Sequence, residues 1–561
     1  MKPADRARLA APGTGRLAPD AVSRALLSAP ASARGPADGN HTLPMSPTAS
    51  SIARDVRDGP VRAAASGPLA EASGRRAAAA PGASAALWLC RAWAIAWYAY
   101  LLVAPTLGVA WIDSWHNEQR MLEVLLLALG VPVLAAAALA PSWRRGLPGL
   151  HWTVPAVFFL GALSAWRAPL ADAAWAEVAL HLLLVVLIVV AAATVAADGA
   201  RAGRLARRGA LLLLGVYAAG VAVRYAAALA ISQPLNLDVL LLGYNNPRFP
   251  SALHALLLPF VAALALDARE GRWLRRLAGV VLALTWAINI ALGTRAIWFA
   301  YVISLGLLYA TLGRSRLRPL AGVLLWSAAA GIVLYFLFFK FLPIWTGIGE
   351  TFTERTLDKL TWGTNRELLI ASSWQAIRAA PWLGLGPMQF AALPQVWAAH
   401  PHNWLLQLAS EWGLPATALA LVGLAALARR ARAAARAAAG CQGDLLAPLT
   451  AALVALVYGQ VDGNLVMPVS QAAAALVFGL LLGALPPRDG AGPPTPRPLR
   501  IGGAALLLTG AILAAAATQL VWFSATTVAA ATAQEGPQSI FPTRALWPRF
   551  WSDGLLPLKK E

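Results

Sequence analysis

The sequence predicts an all-α, polytopic integral membrane protein of about 12–13 transmembrane helices, and three observations predict it. Of the 561 residues, 58% are hydrophobic and only 13% are charged, whereas a soluble domain carries about 25% charged residues. The mean hydropathy is +0.60. The apolar residues fall in long blocks rather than at a period of 2 or 3.6, the pattern of segments surrounded by lipid. Backbone groups in lipid must bond internally, which leaves helices or a closed barrel. Blocks of about 17–25 residues are too long for barrel strands, so the spans are helices. This hydropathy excludes a soluble binding module. The net charge of +20 would suit a nucleic-acid partner in a soluble chain; here arginine-rich cytoplasmic loops explain it better. The two cysteines, Cys90 and Cys441, fall in the first block and in a basic loop, with neither a disulfide partner nor metal-ligand spacing.

Taken in order, residues 1–84 are rich in Ala, Pro, Gly, Ser and Arg and nearly lack aromatics, so they cannot bury a core and are expected to be disordered. Two readings stand for them, a cytoplasmic tail or an over-called gene start. Residues 85–343 carry nine apolar blocks, at 85–111, 121–140, 152–166, 174–197, 210–232, 250–267, 277–293, 296–312 and 319–343. A long segment, 344–403, separates these from four more within 404–523, at 404–428, 446–461, 464–486 and 501–523. The remainder, 524–561, is a short tail in which Trp547 and Trp551 suit an interface.

Charge fixes the expected orientation. With the N-terminus in the cytoplasm, the loops on that side carry Arg144 and Arg145, Arg201 to Arg208, Arg269 to Arg276, Arg314 to Arg318, Arg429 to Arg436, and Arg488 to Arg500. The opposite loops carry only scattered arginines such as Arg120, Arg167 and Arg248. Positive loops stay inside. The long loop and the tail therefore face outward, which in a bacterial inner membrane means the periplasm. No ATP is available there, so any transfer chemistry needs a donor activated beforehand and delivered in the membrane.

Within the long loop, Glu367 to Ala380 reads as an amphipathic helix with Ile370, Trp374 and Ile377 on one face, capped by Thr364 or Asn365 and ended by Pro381. Gly384-Leu385-Gly386-Pro387 follows as a turn. Then comes His400-Pro401-His402-Asn403 at the start of the next apolar block. A helix N-terminus carries about half a positive charge, which disfavours the imidazolium and keeps His402 in the form that accepts a proton. A lone histidine there is more often structural; the pair beside Asn403 at a water boundary tips the balance toward function. Asn403 caps the helix or holds a sugar hydroxyl. Glu411 orients a polar group or pairs locally. His400 assists, binds acceptor or shapes the turn. Arg248, Arg295 and Arg366 stand out on the sparsely charged outer side. Guanidinium groups bind phosphate bidentately and stay charged, so these three suit an anionic ligand, against a plainer role of headgroup contact. Arg91 and Arg224, inside apolar blocks, receive no role. Asp462, Gly463, Asn464 and Gln471, at a turn between two later blocks, could contact sugar or position His402. Asp113, His116 and Glu118 are spaced too loosely for a convincing cation site, and no metal or cofactor is expected. His151, His181 and His254 read as structural. Nucleotide fingerprints, zinc patterns and nucleophile elbows are absent.

His400-Pro401-His402-Asn403 with Leu405, Leu408, Glu411 and Gly413 resembles the signature of the O-antigen ligase and Wzy-type O-antigen polymerase superfamily of bacterial membrane glycosyltransferases. Gly293-Thr294-Arg295 and Asn365-Arg366 resemble its outer-face arginines, and Pro381-Trp382-Leu383-Gly384-Leu385-Gly386 its Pro-Gly-Gly element. Asp462-Gly463-Asn464, Pro468 and Gln471 are also in its style. The resemblance covers roughly residues 240–480; the first spans share only hydropathy. It implies about a dozen helices, a glycan donor on undecaprenyl diphosphate and metal-independent transfer with inversion. His402 would be the base on the acceptor hydroxyl, and Arg295 and Arg366 would hold the diphosphate. Ligation to lipid A–core is the first expectation, followed by polymerisation of repeat units on a growing glycan and then by protein O-oligosaccharide transfer. A lipid or sugar transporter is the competitor from another class, but the inverted repeats it would favour are not evident. The extended N-terminus and the thirteenth span depart from the family pattern.

Overall fold

The computed structural model describes residues 81–106, 115–139, 151–197, 199–233, 235–348, 366–393, 398–437, 442–486 and 503–533. Among these, every regular element is helical. The helices are α1 (Pro81–Val103), α2 (Trp115–Leu139), α3 (Thr153–Trp166), α4 (Ala171–Ala197), α5 (Gly199–Ala230), α6 (Arg248–Leu266), α7 (Arg272–Ala291), α8 (Arg295–Leu312), α9 (Arg314–Phe336), α10 (Arg366–Ala379), α11 (Trp404–Trp412), α12 (Leu414–Ala437), α13 (Gln442–Tyr458), α14 (Pro468–Ala484) and α15 (Gly503–Ala533). Nine helices among the described residues are long and apolar enough to cross a membrane, and four shorter apolar ones accompany them. The fold is that of an all-α polytopic membrane protein, with helices on each predicted apolar block.

Burial separates the centre of the bundle from its rim. The apolar stretch of α6 is 89% buried and that of α4 is 67% buried, while α12 and α15 reach only 22%. The central packing is carried by small residues. Ala472 to Ala475 of α14 are buried, and α14 approaches α4 closely at its glycines. A Cβ at Gly479 would stand 2.5 Å from the Ala191 methyl and 2.9 Å from the Ile188 carbonyl. With lipid offering no hydrophobic gain between helices, such close approach is how membrane helices associate. At the rim, Val302, Trp326 and Leu507 are exposed, as a lipid-facing surface requires.

The two ends of the bundle differ in chemistry. Where α6 ends and α13 begins, buried Arg207 pairs with Asp267 at 3.0 Å and with Asp444. Nearby, Arg208 meets Glu270 at 2.7 Å, and Arg436 donates to the Thr311 carbonyl at 2.7 Å. The opposite end, where α6 begins and α13 ends, carries Arg248, His402 and Asp462.

Three elements differ from the sequence reading. The second helix begins at Trp115, not near 121, so Glu118 and Arg120 lie in its first turns. The stretch looks loop-like by hydropathy, yet its polar groups are buried with partners. The block 404–428 is two helices: Gly413, at φ 89°, separates the nine-residue α11 from the long α12. A Cβ at Gly413 would collide with the Trp382 carbonyl, and the Leu414 amide donates to the Pro381 carbonyl at 2.8 Å, so the break receives the loop chain. Finally, α10 buries Leu369, Ser372, Ser373, Ala376 and Ile377 and leaves Ile370 and Trp374 exposed. Its inward face is set by packing beneath the loop rather than by its greasiest stripe. The suggested caps Thr364 and Asn365, and also Cys441, Trp547 and Trp551, lie outside the described residues.

Candidate functional site

The chain segment before α11 is built around its polar side chains. Asn403 is the N-cap: its side-chain oxygen accepts from the Leu406 amide at 3.0 Å, and its amide group donates to the Gln460 carbonyl at 3.1 Å. The Trp404 amide donates to the Gly459 carbonyl at 2.9 Å, and its indole N–H to the Leu456 carbonyl at 3.0 Å. The head of α11 is thereby fixed to the end of α13 and to the turn 459–467. That turn presses on His400, because a Cβ at Gly463 would stand 2.5 Å from the imidazole Cε1.

His402 sits at the centre. Its backbone is left-handed, with φ 54°, a conformation that is strained for a side-chain-bearing residue. The strain is held by the His402 amide, which donates to His400 Nδ1 at 3.2 Å, while the two rings meet edge to face at 4.2 Å. His400 therefore shapes this turn, and accepting at Nδ1 leaves its proton on Nε2. His402 is itself 4% exposed, with Nδ1 lying 3.5 Å from Asp462 Oδ1. The other carboxylate oxygen lies 3.8 Å from Arg248 Nε.

The electrostatics follow from this layout. Burial, together with the Arg248 and Arg366 cations, holds the His402 imidazole below the ordinary histidine range, with Asp462 working partly against them. Burial alone would raise the Asp462 carboxyl, but hydrogen bonding with His402, the Arg248 charge and the Gly463 amide outweigh it and keep the carboxyl below its usual value. Arg366, half-buried at the start of α10, is lowered first by its own burial; Asp462 opposes this, while Arg248 and Arg295 add to it. Arg248 and Arg295 thus both act on Arg366, although 118 positions of sequence separate Arg248 from Arg366. Among the described residues, these three guanidinium groups gather about one carboxylate and one imidazole. Guanidinium groups so gathered favour an anion.

Of the residues singled out from sequence, His400, His402, Arg248, Asp462 and Arg366 are drawn together, with Arg295 within electrostatic range of Arg366. Asn403 is taken up by capping and by Gln460. Glu411 is fully buried on the 384–390 turn, where its carboxylate accepts from the Phe390 amide at 2.9 Å and its carbonyl from the Gly386 amide at 3.0 Å. Its visible work is to hold that turn. His116 packs on Phe249, and Asp113 lies outside the described residues. Among the described residues, no group of three His, Cys, Asp or Glu side chains gathers as a cation site would need. Sequence reading missed Tyr458, buried beside Asp462 with its hydroxyl 3.5 Å from the Arg248 carbonyl. It also passed over Gln119 and Arg120, whose one visible signal was an Arg–Glu pair, Arg120 and Glu123, at helical spacing beside an apolar block.

Residues 278–421 match the family model of the O-antigen ligases. The match bears out the resemblance to the O-antigen ligase and Wzy superfamily, over a narrower span than the motifs suggested. No curated protein matches the chain. The matched segment contains Arg295, Arg366, His400, His402 and Asn403, whereas Arg248 and Asp462 lie on either side of it. With the apolar helices, it supports a multi-pass membrane protein with a ligase- or polymerase-type role in O-antigen assembly.

Proposed function

We propose that the protein transfers a glycan from undecaprenyl diphosphate to an acceptor hydroxyl at the periplasmic face of the bacterial inner membrane, and that the reaction is ligation of O-antigen to lipid A–core. The observation that carries the reading is His402 Nδ1 facing the Asp462 carboxylate at 3.5 Å beside Arg248, within the electrostatic reach of Arg366. Asp462 holds the Nδ1–H tautomer, so Nε2 presents a lone pair. Nε2 takes the proton of the acceptor hydroxyl as the oxygen attacks the anomeric carbon. The bond from that carbon to the diphosphate oxygen breaks as the new glycosidic bond forms, with inversion in a single displacement. Arg248, Arg295 and Arg366 hold the diphosphate and match the charge that grows on the leaving oxygen. The imidazolium so produced is stabilised by Asp462. The arginine-rich turns at the other end of the bundle support a cytoplasmic location for that end and an outward-facing site.

Analysis of glycans in a strain lacking the protein tests the reading. Full-length lipid-linked chains should accumulate while lipid A–core stays bare. Accumulation of single lipid-linked repeats would instead mean polymerisation, and loss of glycan from a protein would mean protein O-glycosylation. In a complemented strain, His402→Ala should reach the membrane and give no transfer; wild-type glycan output from it would overturn the base assignment.

A further inference from the structure

We propose that the first two turns of α2 are a positioning clamp for the site, with Arg120 holding the turn that carries Asp462 and Gln119 holding the turn that carries Arg248. Arg120 is 1% exposed although it lies in an apolar helix. A buried charge at such a place is retained where it does something, and its partners indicate what. One guanidinium nitrogen pairs with Glu123, a turn further on, and also donates to the Gln471 side-chain oxygen at 2.9 Å. The other donates to the Val466 carbonyl at 2.6 Å. Val466 stands four residues after Asp462, and Gln471 lies in the first turns of α14, so the fork grips the turn 459–467 at its departure into the helix.

Gln119, the neighbouring residue, reaches the other turn. Its side-chain amide donates to the Gly243 carbonyl at 2.8 Å, and its own carbonyl accepts from the Tyr100 hydroxyl at 3.1 Å. Gly243 lies five residues before Arg248, and its backbone lies directly against the carbonyl of Pro105. One turn earlier on α2, the His116 ring packs on Phe249, next to Arg248, at 5.8 Å. Adjacent side chains of one helix thus fix the two turns that bring Arg248 and Asp462 to His402. Neither turn belongs to the matched segment, and nor does α2. A helix that only anchored the chain in lipid would have no use for these groups. A misplacement of about 1 Å in a catalytic constellation can cost a hundredfold in rate, which gives the clamp its role: Arg120 acts through Asp462 on turnover, Gln119 through Arg248 on donor binding.

The test is the double variant Arg120→Met/Glu123→Leu, which removes both buried charges together and so avoids stranding one. Purified protein in detergent, given a lipid-diphosphate glycan and a lipid acceptor, should keep its thermal midpoint, lose ten- to a hundredfold in kcat and keep its KM for donor. Arg120→Lys, which retains charge but lacks the fork, should fall between. Gln119→Leu should raise donor KM severalfold with little change in kcat. The proposal is overturned by a folded double variant with wild-type kcat, by a loss confined to KM, or by a loss of activity matched by the loss of folded protein. If the double variant does not accumulate, folded Arg120→Lys with wild-type kcat overturns it equally. The clamp rests on the reading of His402 and Asp462 above: an active His402→Ala would sink that reading, whereas an inactive His402→Ala beside a fully active double variant would sink the clamp alone.

Discussion

Replacing Asp462 with asparagine keeps shape and removes the charge that faces His402. The two groups are 3.5 Å apart and both nearly buried. At an effective dielectric of about 20, opposite unit charges at that distance attract by roughly 5 kcal/mol before losses. Solvent at the arginine side and relaxation of the imidazolium reduce what the transition state keeps to about 2–4 kcal/mol. That range is a thirtyfold to thousandfold loss in kcat. The same carboxylate also faces Arg248 at 3.8 Å, so its removal leaves the cationic surface stronger, and donor KM should stay level or fall. Steady-state assays of Asp462→Asn with a lipid-diphosphate glycan, varied in turn against the acceptor, separate the two parameters. A folded variant whose kcat stays within threefold of wild type would refute the role given to the Asp462 carboxylate, and a raised donor KM with unchanged kcat would move Asp462 to the binding machinery.

Other outcomes follow from the same geometry. Because burial holds His402 below the ordinary histidine range, with the facing groups His400, Asp462, Arg248 and Arg366 accounted for, the base stays unprotonated as pH falls through about 6.5. The acid limb of kcat/KM, which reports the free enzyme, should therefore lie below that value, and a limb at or above it would contradict the electrostatic account. Arg295→Ala and Arg366→Ala should each raise donor KM about tenfold or more, with Arg366→Lys recovering little because a point charge cannot replace the fork; unchanged donor binding in both alanine variants would remove them from the diphosphate site. Gly479→Val should push α14 off α4, costing about 1–3 kcal/mol and lowering the thermal midpoint in detergent; an unaltered midpoint would show that the close approach is not needed for stability.

Hydropathy made the spans legible because lipid imposes one demand on every membrane helix, a run of apolar residues long enough to cross. It failed where that demand is relaxed. The first turns of α2 read as a loop, since a window average does not see that Gln119 and Arg120 satisfy their polar groups against Gly243, Gln471 and Val466. The break at Gly413 was lost in one apolar block, although Gly413 followed by Pro415 is a helix-stop pattern, and the chain at Pro381 and Trp382 shows what the break receives. The inward face of α10 was chosen by what lies beneath it, not by where Ile370 and Trp374 stand. At the site, His402 and the arginines were legible as polar residues in apolar surroundings. That Asp462 faces His402, and that Glu411 is bound into the neighbouring turn, stood in the sequence only as one alternative of two for each residue; the choice between them depends on tertiary packing across dozens of residues.

The His402–Asp462 contact joins the matched segment to chain beyond it, and Arg248 joins it to chain before. A chimera that grafted residues 278–421 alone into a relative would import a histidine while borrowing its counter-ion from the host. Its rate would report how faithfully two lineages keep their junctions in register. Such a graft would also have to meet α2, whose Gln119 and Arg120 hold turns on either side of the matched segment.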